Sequence, residues 1–143
     1  MESKYYTPEL EDLKIGYICQ NRLTGKGWLN LEITEKDAVY MSFFIKCLKE
    51  DNLRTEYLTK ANIESLGWKI NIEYNHFSRC GFEKDNYYLL LDTRNEIPFI
   101  KIIYKDPSKE ENSWIVAPEH FQISIQCPSI NELKTILKLL NIK

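Results

Sequence analysis

From Trp68 onward, most of the chain has the pattern of β-strands joined by short links. WKINIEY, at 68–74, alternates apolar and polar residues, which is the period of a half-buried strand. YYLLLD, at 87–92, and PFIKIIYK, at 98–105, are apolar on both faces and predict central strands. The link between them is short enough for a hairpin. EHFQISIQC alternates again, so this half of the chain predicts a largely antiparallel sheet.

Helical patterns occupy the middle of the chain and its last segment. Thr34 to Asp37 approximates a capping box, and the residues after it place apolar side chains on one helical face up to about Glu50. These residues are Tyr40, Phe43, Phe44, Cys47 and Leu48. Thr59 is expected to cap a short helix that Gly67 stops. Ser129 to Glu132 form a capping box ahead of a C-terminal helix.

Length and pattern together predict one α+β domain. The chain has 143 residues, which suits a single hydrophobic core, and it contains no internal repeat. We therefore expect one domain over residues 1–143: a largely antiparallel sheet, with the mid-chain helix and the C-terminal helix packed on one face.

The first third of the chain predicts a capped turn and three strands. In YYTPELEDL, Thr7 suits an N-cap and Pro8 the first helical position. Leu13 to Gln20 then alternate as a strand would. WLNLEIT, at 28–34, is a less regular strand, and RTEYLT, at 54–59, is another.

Charge and hydropathy narrow the class of protein. The formal net charge is -2, from 19 Lys and Arg against 21 Asp and Glu, with no basic stripe to neutralise a phosphate backbone. There is no apolar run long enough to span a bilayer and no signal-peptide core. We expect a cytoplasmic protein with no membrane partner, and the charge pattern gives no strong signal for nucleic-acid binding. Its four widely spaced cysteines predict buried free thiols rather than disulfides.

No motif predicts a cofactor, a metal site or a catalytic residue. His76 precedes Cys80 in NHFSRC, but nothing there orients a nucleophilic pair, and His120 has no partner motif. GKGW lacks the remaining residues of a phosphate-binding loop. Asp12 and Lys14 have the local spacing of a metal-dependent nuclease, although no acid-bearing strand precedes them.

Aromatic residues are the remaining feature, at 13% of the chain with nine tyrosines. Most are expected to fill the core, in particular Phe43, Phe44, Trp68 and Phe121. Tyr5 and Tyr6 differ because they are adjacent and precede the first predicted element. Exposed, they would be binding residues for a partner; otherwise they would attach the N-terminal segment to the sheet.

Two stretches carry a resemblance to a known group: KYYTPELEDLKIGYICQ at 4–20 and RTEYLTKANIESLGWK at 54–69. Together with the closing strand and helix, they resemble small proteins encoded by bacteriophages and prophages of gut bacteria. Those proteins begin Tyr-Tyr-Thr-Pro-Glu, here residues 5–9, and have an Ile-Glu-Ser-Leu-Gly segment, here 63–67. The resemblance implies a phage origin and a bacterial host cytoplasm. It brings no activity, cofactor or site residue.

The leading hypothesis is a non-catalytic phage accessory protein that binds a host or phage protein through a tyrosine-rich surface. A minor virion component is the structural alternative. A metal-dependent nuclease around Asp12 and Lys14 is the enzymatic one.

Overall fold

The computed structural model describes residues 4–22, 27–75, 78–104 and 122–142, and it has the predicted α+β architecture. In these ranges the strands are β1 (Tyr5–Tyr6), β2 (Ile18–Asn21), β3 (Leu29–Glu32), β4 (Leu53–Glu56), β5 (Lys69–Asn75), β6 (Arg79–Lys84), β7 (Tyr87–Asp92), β8 (Phe99–Tyr104) and β9 (Gln122–Gln126). The helices are α1 (Glu35–Ala38), α2 (Met41–Lys49), α3 (Lys60–Ser65) and α4 (Ile130–Leu139), with a 3-10 turn at Leu10–Asp12. The C-terminal helix is as expected, and the predicted mid-chain helix is present but divided into α1 and α2.

The described strands pair antiparallel, as predicted, and they form two sheets. Backbone contacts group the chain into two compact units, Met1–Tyr57 with Asn131–Lys143 and Leu58–Ile130. We call these the first unit and the second unit. The expectation of one domain over residues 1–143 stays a prediction.

The first unit contains the four-stranded sheet, in the order β1-β4-β2-β3. Its inner face packs against α2. The buried residues of this cluster are Leu13, Tyr17, Cys19, Ile33, Phe44, Cys47 and Leu53. Full burial of a large apolar side chain contributes about 1.5–3 kcal/mol. This cluster is therefore the main source of stability for the sheet.

The start of the first unit differs from the prediction. The N-cap of the 3-10 turn is Glu9 rather than Thr7, and the Glu9 N–H donates to the Asp12 carboxylate at 2.9 Å. Thr7 follows directly on β1, whose pairing with β4 keeps the backbone extended there. The predicted strand is also shorter, because Gly16 adopts φ +90° and turns the chain before Ile18.

The second unit contains the five-stranded sheet, in the order β5-β6-β7-β8-β9. Each strand pairs with the next along the chain, so it is a meander. The predicted central position of β7 and β8 is confirmed. Their buried residues are Leu89, Leu91, Ile100, Ile102 and Ile103.

Helix α3 precedes this sheet with the predicted cap. The Asn62 N–H donates to Thr59 Oγ1 at 3.1 Å, and the Thr59 N–H donates to Asn62 Oδ1 at 3.0 Å. Gly67 has φ +90°, the left-handed conformation that ends a helix without the strain a β-carbon would bring. Trp68 follows and is buried, as expected.

Several predicted features lie outside the described residues: His76, His120, Phe121 and the polar connection at 105–113. The four cysteines lie within them, and all are free and buried as predicted. In the part of the chain that is described, no helix is long and apolar enough to cross a bilayer.

Candidate functional site

The outer face of the four-stranded sheet carries polar and aromatic side chains. In β4, Leu53 and Thr55 are buried while Arg54, between them, is half-buried on the opposite face. Register places Gln20 of β2 directly opposite Arg54. Since successive strand side chains alternate, the same face receives Tyr5 from β1.

Arg54 is stacked between two aromatic rings on this face. Its guanidinium carbon lies 3.6 Å from the centre of the Tyr5 ring and 4.1 Å from the centre of the Trp28 ring. The guanidinium carbon of Arg22 lies 4.9 Å from the same Trp28 ring. We call these four residues the Arg54 stack. Cation–π contacts of this kind contribute about 0.5–1 kcal/mol at exposed sites and more when water is excluded.

Hydrogen bonds across three strands hold Arg54 in place. Its Nε donates to Gln20 Oε1 at 2.8 Å. The Gln20 Nε2 donates in turn to Asn30 Oδ1 at 2.9 Å, on β3. The two ring contacts and the Gln20 bond together restrict the position of the guanidinium. The Arg54 side chain is therefore pre-organised.

The Arg54 stack carries unpaired positive charge. Among the described residues, neither Arg22 nor Arg54 lies within ion-pair distance of a carboxylate. Arginine stays protonated in proteins, so its remaining N–H groups can donate hydrogen bonds but cannot act as a general base. A site of this composition can therefore donate hydrogen bonds to an acceptor.

Tyr5 and Tyr6, the two predicted binding residues, have different environments. Tyr5 belongs to the Arg54 stack. Tyr6 packs against Tyr57, with ring centres 4.7 Å apart, and its hydroxyl is buried. Alternation along β1 separates the two side chains, so Tyr6 packs on the inner side with Tyr57 while Tyr5 lies on the outer face with Arg54.

On the inner face, Tyr17 and Thr55 share a buried hydrogen bond of 2.8 Å between their hydroxyls. Burial raises the pKa of Tyr17 well above its ordinary value of 10.0; the bond to Thr55 opposes this shift and the neighbouring Tyr6 adds to it. A phenol with a raised pKa stays neutral at physiological pH. This pair is structural.

Helix α2 exposes two aromatic residues that were expected in the core. Tyr40 is 63% exposed and Phe43 is 39% exposed, next to the exposed Val39. The prediction was wrong for them because the helical pattern is interrupted: Tyr40 has ψ 36° and separates α1 from α2. The buried stripe of α2 is formed by Phe44 and Cys47 instead. We call Val39, Tyr40 and Phe43 the α2 patch.

The nuclease hypothesis receives no support from the local geometry. The Asp12 carboxylate accepts the Glu9 N–H in the 3-10 turn, and Lys14 is exposed. Within the described ranges, no three His, Cys, Asp or Glu side chains are grouped so as to hold a metal ion.

Sequence patterns did not identify the Arg54 stack. The local pattern predicts only that Arg54 begins a strand and that Trp28 belongs to another. One signal was available: an arginine next to alternating strand residues must lie on the face opposite the core. Its aromatic partners could be known only from the strand order.

The chain was compared with family models, curated proteins and solved structures, and none of them matches it.

Proposed function

We propose that this chain is a phage-encoded accessory protein that binds a host or phage protein, and that the Arg54 stack is the centre of its binding surface. The observation that carries the proposal is the pre-organised Arg54 between Tyr5 and Trp28. The phage origin depends on the sequence resemblance alone.

The composition of the stack supports a protein-binding role. Tyr, Trp and Arg are the residue types most enriched among those that dominate the energy of protein interfaces. Each provides a large contact area, and a side chain already fixed in the free protein loses little entropy when it binds. Arg54 meets that condition through its two ring contacts and its bond to Gln20.

The test is affinity capture of the tagged protein from bacterial lysate, with and without nuclease, quantified by mass spectrometry. Three versions are compared: the natural chain, Trp28→Ala, and Tyr40→Ala as the matched control on the α2 patch. We expect one stoichiometric protein partner that survives nuclease, is retained by Tyr40→Ala and is lost by Trp28→Ala. Thermal melts of all three establish that both variants are folded.

The opposite pattern would reject the site. If Tyr40→Ala loses the partner and Trp28→Ala keeps it, the binding surface is the α2 patch. Capture that disappears with nuclease would reject protein binding altogether. A captured partner that belongs to the phage particle would assign the protein to the virion, which mass spectrometry of purified particles would then check.

A further inference from the structure

The Arg54 stack places two guanidinium groups around one indole ring. Arg54 lies 4.1 Å and Arg22 4.9 Å from the centre of the Trp28 ring, so their guanidinium carbons are no farther apart than 4.1 Å plus 4.9 Å. Two like charges at that separation are only partly screened, because the Debye length is about 8 Å at physiological ionic strength. An anion between or beside them would relieve their repulsion.

The donors that remain on Arg54 are well placed for a carboxylate. Its guanidinium carbon lies over the Tyr5 and Trp28 rings and its Nε is bonded to Gln20, so the terminal N–H groups are the ones left to bind a ligand. These donors lie in the guanidinium plane and form the planar fork that accepts both oxygens of a carboxylate. Arg22 is exposed and adds a second positive group near the indole.

We propose that the Arg54 stack binds an acidic peptide segment, with an Asp or Glu carboxylate of the partner held by Arg54 and Arg22. This inference depends on the proposed protein-binding function and specifies the chemistry of the partner. Charge complementarity identifies the occupant, since among the described residues no carboxylate lies within ion-pair distance of either arginine.

A peptide fits this surface better than a nucleic acid. Single-stranded nucleic acids bind through open aromatic faces and a continuous row of cations. Here Arg54 already covers faces of Tyr5 and Trp28.

The test uses the full chain labelled with ¹⁵N and three probes: a short peptide of alternating Glu and Ser, the matching peptide of Gln and Ser, and a short single-stranded DNA. The signals followed are the Arg54 and Arg22 Nε–H and the Trp28 indole N–H. We expect the Glu peptide to shift these signals in a saturable way and the Gln peptide to leave them unchanged.

Two variants assign the effect to the stack. Arg22→Gln with Arg54→Gln removes two positive charges from it, and Lys46→Gln with Lys49→Gln removes two from the exposed side of α2. The first pair is expected to weaken binding of the Glu peptide by at least about tenfold, the effect of losing one charge-assisted hydrogen bond, and the second pair to leave it unchanged. If the double arginine variant does not fold, Arg22→Gln alone serves, because that side chain is exposed.

Equal binding of the Gln peptide, no binding of the Glu peptide, or equal losses in both variant pairs would overturn the inference. Stronger shifts with the DNA would assign the surface to nucleic acid. A partner that is captured through Trp28 although the Glu peptide does not bind would leave the protein-binding function standing and reject only the acidic partner.

Discussion

The side-chain amide of Asn131 hydrogen-bonds both backbone groups of Ile18. Its Oδ1 accepts from the Ile18 N–H at 2.7 Å, and its Nδ2 donates to the Ile18 carbonyl at 2.9 Å. β4 pairs with β2 only at Gln20 and Asn21, so the Ile18 backbone has no strand partner on that side. The first turn of α4 thus completes the backbone hydrogen bonding of β2 at Ile18.

Replacing Asn131 by Ala should destabilise the first unit. The Ile18 N–H and carbonyl would both lose their partner in a partly buried position, at a cost of about 1–3 kcal/mol in the free energy of unfolding. Urea denaturation followed by circular dichroism measures this. Thr135→Ala on the same helix is the control, because Thr135 is exposed and only its own hydroxyl bond to Asn131 O is removed. Equal losses in both variants would contradict this role of the Asn131 amide.

Stability should fall as pH rises above about 9. Burial, with a smaller contribution from Cys47, raises the pKa of the Cys19 thiol from 9.0 to about 11, and burial raises that of Tyr17 above 10.0. Between the unfolded and folded pKa values the unfolded chain binds fewer protons. The stabilisation is therefore complete below pH 9 and is lost at up to about 1.4 kcal/mol per pH unit for each group.

Urea midpoints measured from neutral pH to about pH 11 test this alkaline loss. Tyr17→Phe should lose stability at neutral pH, because Thr55 is left without its 2.8 Å partner, and should show a shallower decline above pH 10. Parallel pH profiles for the natural chain and Tyr17→Phe would show that Tyr17 titration has no part in the decline.

Asp92 should stabilise the second unit only while it is ionised. Its carboxylate accepts the Arg94 Nη2 at 2.6 Å and the Arg94 backbone N–H at 3.0 Å, and these bonds, chiefly the side-chain one, hold its pKa below the ordinary 3.8. A lowered pKa contributes stability that is present above pH 3.8 and is lost as pH falls through the folded value.

Asp92→Asn is thus expected to lower the free energy of unfolding by about 0.5–1.5 kcal/mol at neutral pH, and the difference should shrink below about pH 4. Denaturation at both pH values measures it. Asp85→Asn is the control: Asp85 is exposed with φ 53°, which Asn also adopts readily, so no change is expected. A difference that persists at low pH would show that charge is not the cause.

Gln20→Ala should release Arg54 without unfolding the sheet. The bond from Arg54 Nε to Gln20 Oε1, 2.8 Å long, protects that proton from exchange with water. In the variant, the Nε–H signal of Arg54 should exchange faster in ¹⁵N NMR, while the Arg22 signal changes little. Slow exchange that survives the substitution would mean that stacking alone orders Arg54.

Local sequence patterns predicted much of the second unit correctly. Thr59, Gly67 and the strands β7 and β8 were identified from capping residues, glycine and apolar runs, because those features depend on neighbours a few residues away. Strand β6 was missed: RCGFEK contains a glycine and three charged residues, yet Cys80 and Phe82 are buried between β5 and β7. Tertiary pairing outweighed a weak local propensity.

The sequence by itself determined the α+β class, the antiparallel pairing, the buried free cysteines and the two main helices, since hydrophobic period and capping are local properties of the chain. The tertiary structure alone decided the order β1-β4-β2-β3, and with it the Arg54 stack. Tyr5, Trp28 and Arg54 come from three distant segments. Only backbone hydrogen bonding in one particular register brings their side chains onto the same face, and that register is set by the packing of the whole unit.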